Sequence, residues 1–235
     1  MNIDGQDFEV EEGITILEVA REFDIDIPTL CYNEALKPYG ACRLCIVEVA
    51  KDGKTKIVAS CSYPIREEGL EIRTGTERIL RERKAIIELL LARGCTSNVL
   101  QRIASTMGVE KPRFKLEENE CILCGLCTRV CNEIVGVNAI SFINRGIKRE
   151  VATPFKETSN SCIGCGTCAY ICPTNFIKME DTDEKRMMIN WKTEFKLKQC
   201  KICNKYFAPT FQLEYMVKEA KLPEDFFDAC IDCRK

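Results

Sequence analysis

Cysteine is the residue type most clearly able to do chemistry in this chain of 235 residues, which has 17 cysteines and no histidine. Closely spaced cysteines bind iron–sulfur clusters or zinc in proteins. Without histidine, the chain cannot build a Ser-His-Asp or Cys-His catalytic centre, a histidine-ligated zinc or haem site, or a Rieske cluster. We therefore interpret it as an all-cysteine metalloprotein and assign no catalytic residue.

Two runs with the spacing Cys-x2-Cys-x2-Cys-x3-Cys form an internal repeat. Three thiolates on a tight loop can hold three corners of a cubane, and in bacterial two-cluster ferredoxins the fourth cysteine binds the other cluster. The spacing therefore predicts two [4Fe–4S] clusters. The first is assigned to Cys121, Cys124, Cys127 and Cys172, and the second to Cys162, Cys165, Cys168 and Cys131. A pair of structural zinc sites is the alternative, which the three closely spaced cysteines fit less well.

A looser group of cysteines lies near the N-terminus, at Cys31, Cys42, Cys45 and Cys61. A tight Cys-x2-Cys pair with one distant cysteine on each side is typical of a [2Fe–2S] cluster held by loops on a small sheet. The spacing differs from the plant type, which has four residues between its first two ligands. A four-cysteine zinc site is the alternative.

The last group consists of two Cys-x2-Cys pairs, Cys200 with Cys203 and Cys230 with Cys233. Paired knuckles of this kind indicate a four-cysteine metal site. Zinc is favoured, because the first knuckle is followed by a basic and an aromatic residue, as at zinc-ribbon or treble-clef tips. A third [4Fe–4S] cluster is the alternative, and counting iron and zinc would separate the two.

The elements expected to position these cysteines follow from hydrophobic spacing and turn residues. The turn pairs Asp4-Gly5 and Asp52-Gly53 predict two β-hairpins. The apolar spacing of residues 14–23 predicts a helix, and residues 70–73 are predicted to form a further strand. Two further helices are predicted, over residues 76–93 and 97–107, and together they would form a connector. Gly94 is expected to end the first helix, and Ser97 is expected to begin the second. Residues 211–222 are predicted to be helical between the last two knuckles.

These elements predict an α+β protein of four parts. The first is a β-grasp, [2Fe–2S] ferredoxin-like domain over residues 1–75, followed by a helical linker over 76–113. A bacterial ferredoxin-like domain with two [4Fe–4S] clusters then covers 114–185. A small four-cysteine metal module covers 191–235.

Several other classes of protein are not expected. The N-terminus has neither a basic nor an apolar leader region, and no run of 18 apolar residues could span a membrane. The cysteines are then expected in the reducing cytoplasm, where disulfides rarely persist. The net charge of −2 argues against broad nucleic-acid binding.

The order of these domains resembles the N-terminal half of the large iron–sulfur subunit of bacterial complex I. It is equally similar to the corresponding subunits of NAD-linked hydrogenases, including electron-bifurcating ones, and of related formate dehydrogenases and transhydrogenases. The resemblance covers about residues 1–180. It is carried by residues 27–32 (IPTLCY), 40–45 (GACRLC), 61–64 (CSYP), 129–137 (RVCNEIVGV) and 144–146 (NRG).

The resemblance implies an electron-wiring subunit of a soluble NAD(P)-linked complex. Its expected partners are a flavin- and NAD(P)-binding subunit, a small [2Fe–2S] subunit and soluble ferredoxin, as in bifurcating transhydrogenases. Wiring of a hydrogenase or formate dehydrogenase is an alternative, and a free-standing polyferredoxin is a second. No substrate site is evident, because no active-site domain follows within the 235 residues.

The chain also departs from the family at one cluster. Many members carry another cubane between these domains, held by three cysteines and one histidine. Here the corresponding stretch contains Cys95 alone and no histidine, so that cluster is expected to be missing. Cys95 is then interpreted as a small buried apolar residue, with a redox-sensing thiol as the alternative.

Overall fold

The computed structural model describes residues 1–94, 96–114 and 120–234. It divides into two compact units, Met1–Gly125 and Leu126–Lys235. Cys95 lies outside the described residues, so its expected burial stays a prediction.

The first unit is built on a mixed five-stranded sheet. Its strands are β1 (Asn2–Ile3), β2 (Gln6–Asp7), β3 (Ile46–Lys51), β4 (Lys54–Ala59) and β5 (Glu71–Arg73), in the order β2-β1-β5-β3-β4. Strands β1 and β5 pair in parallel and the other neighbours are antiparallel. Both predicted hairpins form, with positive φ at Asp4-Gly5 and Asp52-Gly53, as two-residue turns between twisted strands require.

Helix α1 (Ile16–Glu22) packs its apolar face onto this sheet. A capping box begins the helix: Thr15 Oγ1 accepts the Glu18 backbone N–H at 3.3 Å, and Glu18 Oε2 accepts the Thr15 backbone N–H at 2.7 Å. Leu17 and Val19 are fully buried against strand residues of the same core. The predicted α+β domain with a mixed sheet is confirmed.

The two predicted helices after this sheet form as α2 (Glu77–Arg93) and α3 (Asn98–Thr106). Gly94 caps the end of α2, and the Ser97 side chain caps the start of α3. Arg83 of α2 is buried and donates through Nη2 to the Ile46 carbonyl oxygen of β3 at 2.7 Å. This bond fixes the helix to the sheet that carries the first group of cysteines.

The second unit begins with α4 (Leu126–Arg129), which continues as a π-helical turn over Val130–Ile134. A short hairpin of β6 (Ser141–Ile143) and β7 (Glu150–Ala152) follows, then α5 (Thr167–Tyr170). The helical turns carry Cys127, Cys131 and Cys168.

An antiparallel sheet with the order β11-β10-β9-β8 completes this unit. Its strands are β8 (Met179–Asp181), β9 (Lys185–Met188), β10 (Thr193–Gln199) and β11 (Tyr206–Pro209). Helix α6 (Thr210–Ala220) follows, as predicted, and its Tyr215 hydroxyl donates to the Val135 carbonyl oxygen at 3.0 Å. Strands β8 and β9 thus share one sheet with β10 and β11.

No helix within residues 1–94, 96–114 and 120–234 is long and apolar enough to cross a membrane.

We expect Arg83→Met to destabilise the first unit by about 1–3 kcal/mol, because the buried Ile46 carbonyl loses its donor. Thermal unfolding of the cluster-loaded chain, followed by circular dichroism and visible absorbance, measures this. Arg81→Met is the matched control, since Arg81 is exposed on the same helix, and it should change stability by less than about 0.5 kcal/mol. Equal stability of the two variants would contradict the role given to Arg83.

Candidate metal centres

The four N-terminal cysteines converge beside the five-stranded sheet. Cys31, Cys42 and Cys45 lie in the loops between α1 and β3, and Cys61 lies in a 3₁₀ turn directly after β4. All four are at most 5% exposed. The β3–β4 hairpin thus supports a site whose ligands come mainly from loops.

The sulfurs of this site are arranged in two close pairs. The Cys42 backbone N–H donates to Cys31 Sγ at 3.4 Å, and a hydrogen bond with the Cys31 thiol raises the pKa of Cys42. In the other pair, a hydrogen bond from Cys61 lowers the pKa of Cys45 to about 6. Two pairs of thiolates match a two-iron cluster, in which each iron takes two protein ligands.

A buried polar atom beside these sulfurs also fits a cluster. Ser60 is fully buried, and its Oγ has no conventional hydrogen-bond partner among the described residues. It lies near enough to Cys45 to help lower the pKa of that thiol. A thiolate-bound cluster would give this hydroxyl a charged acceptor.

The first group assigned to a [4Fe–4S] cluster is divided between the two units. Cys121 and Cys124 belong to the first unit, and Cys127 and Cys172 belong to the second. Cys124 and Cys127 are buried, whereas Cys121 and Cys172 are partly exposed. Their joint ligation remains a prediction from the spacing.

The second group lies entirely in the second unit and surrounds one cavity. Cys131, Cys162, Cys165 and Cys168 all line this cavity. The other lining residues are mostly apolar and include Ile140, Met188 and Trp191. The structure therefore brings together the four cysteines that the spacing assigned to the second cluster.

Hydrogen-bond donors surround the sulfurs of this cavity. The Ala139 backbone N–H donates to Cys131 Sγ at 3.3 Å, and Thr167 Oγ1 donates to Cys165 Sγ at 3.4 Å. Burial nevertheless raises the pKa of Cys131 and Cys162, and that of Cys168 to about 12. Cluster iron bound in this cavity would supply the positive charge that keeps its thiolates deprotonated.

Strands β8–β10 cover the loop that holds Cys162 and Cys165. The buried Arg186 of β9 pairs with Asp181 at 2.7 Å and donates through Nη1 to the Gly164 carbonyl oxygen at 3.1 Å. Gly164 has φ +71°, and a Cβ there would lie 2.6 Å from the ring of Phe195 in β10. Sequence spacing missed this cover, because its contacts join residues far apart in the chain without any repeated motif.

The last four cysteines form the most compact group. Among the described residues, this is the one set of metal-binding side chains whose ligand atoms all lie within 4.8 Å of one another. Its members are Cys200, Cys203, Cys230 and Cys233. Cys200 Sγ accepts backbone N–H groups, including that of Cys230 at 3.3 Å, and these bonds lower the pKa of its thiol to about 6.

This compactness fits a single metal ion. Tetrahedral zinc with Zn–S bonds of about 2.3 Å places its sulfurs about 3.8 Å apart, and Cys203 Sγ lies 3.8 Å from Cys230 Sγ. A cubane binds each thiolate to a different iron, which separates the sulfurs further. Just before the second knuckle, the Asp228 carboxylate forms ion pairs with Lys198 Nζ at 2.9 Å and with Lys201 Nζ of the first knuckle at 2.5 Å.

We expect Gly164→Ala to remove much of the second cluster, because the new Cβ would meet the Phe195 ring and strain a left-handed backbone. Iron and acid-labile sulfide of the anaerobically purified chain measure the loss, with up to about four irons missing. Gly146→Ala is the control, since Gly146 also has positive φ but no atom within 4 Å of a Cβ. Full iron content in Gly164→Ala would show that the Phe195 contact is unimportant.

Two family models match the chain. Residues 1–77 match a 2Fe-2S iron-sulfur cluster binding domain, and residues 114–179 match a 4Fe-4S dicluster domain. The expected ferredoxin-like domain and two-cluster domain are thereby confirmed.

Curated proteins show the same similarity over this part of the chain. The alpha subunit of an NADPH-Fe(3+) oxidoreductase from Geobacter sulfurreducens is 34% identical over 171 residues, which are 62% of this chain and 20% of that protein. An NADH-quinone oxidoreductase subunit from Rickettsia felis is 32% identical over 183 residues, 67% of this chain and 27% of that protein. The chain thus spans under a third of the length of these relatives.

Among solved structures, a chain of an NAD+-reducing [NiFe]-hydrogenase in the H2-reduced state has a TM-score of 0.58 and 29% identity. The match covers 65% of this chain and 73% of that chain. With its 2Fe-2S domain followed by a 4Fe-4S dicluster domain, the chain resembles the N-terminal iron–sulfur part of subunits from NAD(P)-linked hydrogenases and complex I.

Proposed function

We propose that this chain is the electron-transferring iron–sulfur subunit of a cytoplasmic NAD(P)-linked oxidoreductase complex. It would pass single electrons between a flavin- and nicotinamide-binding subunit and ferredoxin, in a bifurcating transhydrogenase-like reaction. The observation that carries the proposal is the order of the two matched domains, at residues 1–77 and 114–179. The named relatives that share these domains are subunits of pyridine-nucleotide oxidoreductases.

The ligand sets complete this proposal. The [2Fe–2S] cluster is assigned to the four cysteines of residues 31–61, and the two [4Fe–4S] clusters to the crossed sets of the repeat. When bound, these clusters would supply one-electron carriers. The protein's own part is to hold the thiolates in buried loops, to donate N–H groups to sulfur, and to keep water out of an apolar cavity. Residues 1–75, 76–113, 114–185 and 191–235 are the proposed functional parts.

We assign zinc to the C-terminal site, because its sulfur spacing fits one tetrahedral ion. Zinc has no redox chemistry, so this site would stabilise the module or support a contact with a partner. The alternative of a third [4Fe–4S] cluster requires the four sulfurs to move apart.

Electron transfer to or from a hydrogenase is the second candidate function. It is favoured by the structural match to a chain of an NAD+-reducing [NiFe]-hydrogenase. A formate dehydrogenase would use the same kind of wiring. In all of these candidate functions the chain would bind the same flavin- and NAD(P)-binding subunit and small [2Fe–2S] subunit. The candidates differ in the other electron donor or acceptor, which is ferredoxin, hydrogen or formate.

We expect about 10 irons and one zinc per chain, against about 14 irons and no zinc for a third cubane. Elemental analysis of the anaerobically purified chain distinguishes them. In Cys230→Ser/Cys233→Ser, zinc should be lost and iron retained. Asp232→Ser is the control, because Asp232 is an exposed residue of the same knuckle, and it should keep both metals. Loss of about four irons in the double variant would overturn the zinc assignment.

We expect anaerobic purification of the tagged chain from its native host to recover a flavin- and nicotinamide-binding subunit and a small [2Fe–2S] subunit. Mass spectrometry identifies the subunits, and an untagged strain is the control. The purified complex should then reduce ferredoxin with NAD(P)H. Reduction of the complex by hydrogen or formate would instead favour the wiring alternatives. Recovery of a brown monomer alone would make the chain a free-standing polyferredoxin.

A further inference from the structure

The single tryptophan of the chain lies against the second group of cysteines. Trp191 ends a 3₁₀ turn, Ile189–Trp191, between β9 and β10, and its side chain is 3% exposed. It follows the segment that matches the dicluster family, which ends at residue 179. Its position is therefore set by the sheet of β8–β11, which begins where the matched segment ends.

The turn that carries Trp191 is held firmly. Asn190 Oδ1 accepts the Lys178 backbone N–H at 2.7 Å, and Asn190 Nδ2 donates to the Phe176 carbonyl oxygen at 3.2 Å. On the other side, Thr193 Oγ1 donates to the Trp191 carbonyl oxygen at 2.9 Å. The turn that carries the indole is thus bonded to the segment that follows Cys172 and to the start of β10.

The Trp191 indole has a buried N–H beside the cysteines of this cavity. Trp191 lines the same cavity as Cys131, Cys162, Cys165 and Cys168. Its Nε1 is buried and has no conventional hydrogen-bond partner among the described residues. A buried donor without an acceptor is unfavourable, so the geometry calls for an acceptor inside the cavity.

We propose that Trp191 is a positioning residue that donates its indole N–H to a sulfur of the cluster held by Cys131, Cys162, Cys165 and Cys168, and thereby raises the reduction potential of that cluster. One-electron reduction adds negative charge to the sulfurs, so an N–H donor stabilises the reduced form more than the oxidised form. The inference depends on the ligand set proposed above. It does not depend on which partners exchange electrons with the chain.

The first test is Trp191→Phe, which keeps an aromatic ring and removes the N–H. Potentiometric titration of the full chain, followed by electron paramagnetic resonance, should show one [4Fe–4S] cluster shifted to a more negative potential. We expect a several-fold change in the reduction equilibrium, where tenfold corresponds to about 59 mV for one electron. The other two clusters should keep their potentials.

Met188→Leu is the matched control, because Met188 is also buried in the cavity wall and offers no N–H. It should leave all potentials unchanged. Unchanged potentials in Trp191→Phe with full iron content would overturn the proposal, as would an equal shift in Met188→Leu.

A second measurement on the unmutated chain covers the case in which Trp191→Phe fails to assemble. Since the chain has one tryptophan, ¹⁵N-indole labelling marks a single position. Pulsed electron paramagnetic resonance of the reduced clusters should detect coupling to this nitrogen and to its exchangeable proton in one [4Fe–4S] signal. A signal without either coupling would overturn the proposal. Failure of the ligand set would appear separately, as full iron content retained in Cys131→Ala.

Discussion

The fold depends on the need to hold thiolate sulfurs inside the protein, where burial favours the protonated thiol. Burial raises the pKa of Cys131, Cys162 and Cys168 accordingly. Two features oppose it: N–H groups directed at sulfur, and the positive charge of bound metal. Backbone N–H groups can point at a sulfur only when the loop wraps closely around it. The metal-binding loops therefore have little regular structure and need support from elsewhere.

That support comes from sheets that lie next to each group of ligands in sequence. The β3–β4 hairpin places Cys45 before its first strand and Cys61 after its second. The second [4Fe–4S] loop is instead covered by β8–β10, through Arg186 and Phe195. In both cases an irregular ligand loop packs against the strands of a neighbouring sheet. Arg83 performs a similar task at longer range, by fixing the linker helix to β3.

Local features made much of this structure predictable. The Asp-Gly pairs at 4–5 and 52–53 specify tight turns whatever surrounds them, and Ser97 and Gly94 mark helix ends for the same reason. The spacing of the repeat proposed Cys131, Cys162, Cys165 and Cys168 as one ligand set, and these four line one cavity, while their ligation stays a prediction. The cover formed by β8–β10 was not predictable in this way. Its key residues, Arg186 and Trp191, gain their meaning only from contacts with a loop some twenty residues earlier, and no local pattern encodes such a contact.

Strand β10 connects the metal centres of the second unit. It begins just after Trp191, contributes Phe195 to the cover over Gly164, and ends just before Cys200. A metal ion that fixes the Cys200 knuckle therefore also fixes the end of the strand that encloses the second [4Fe–4S] loop. The zinc proposed for this site could not carry an electron, but it would hold this strand in place. A redox-inactive ion would then help to keep water away from a redox-active cluster and keep its hydrogen-bond donors aligned.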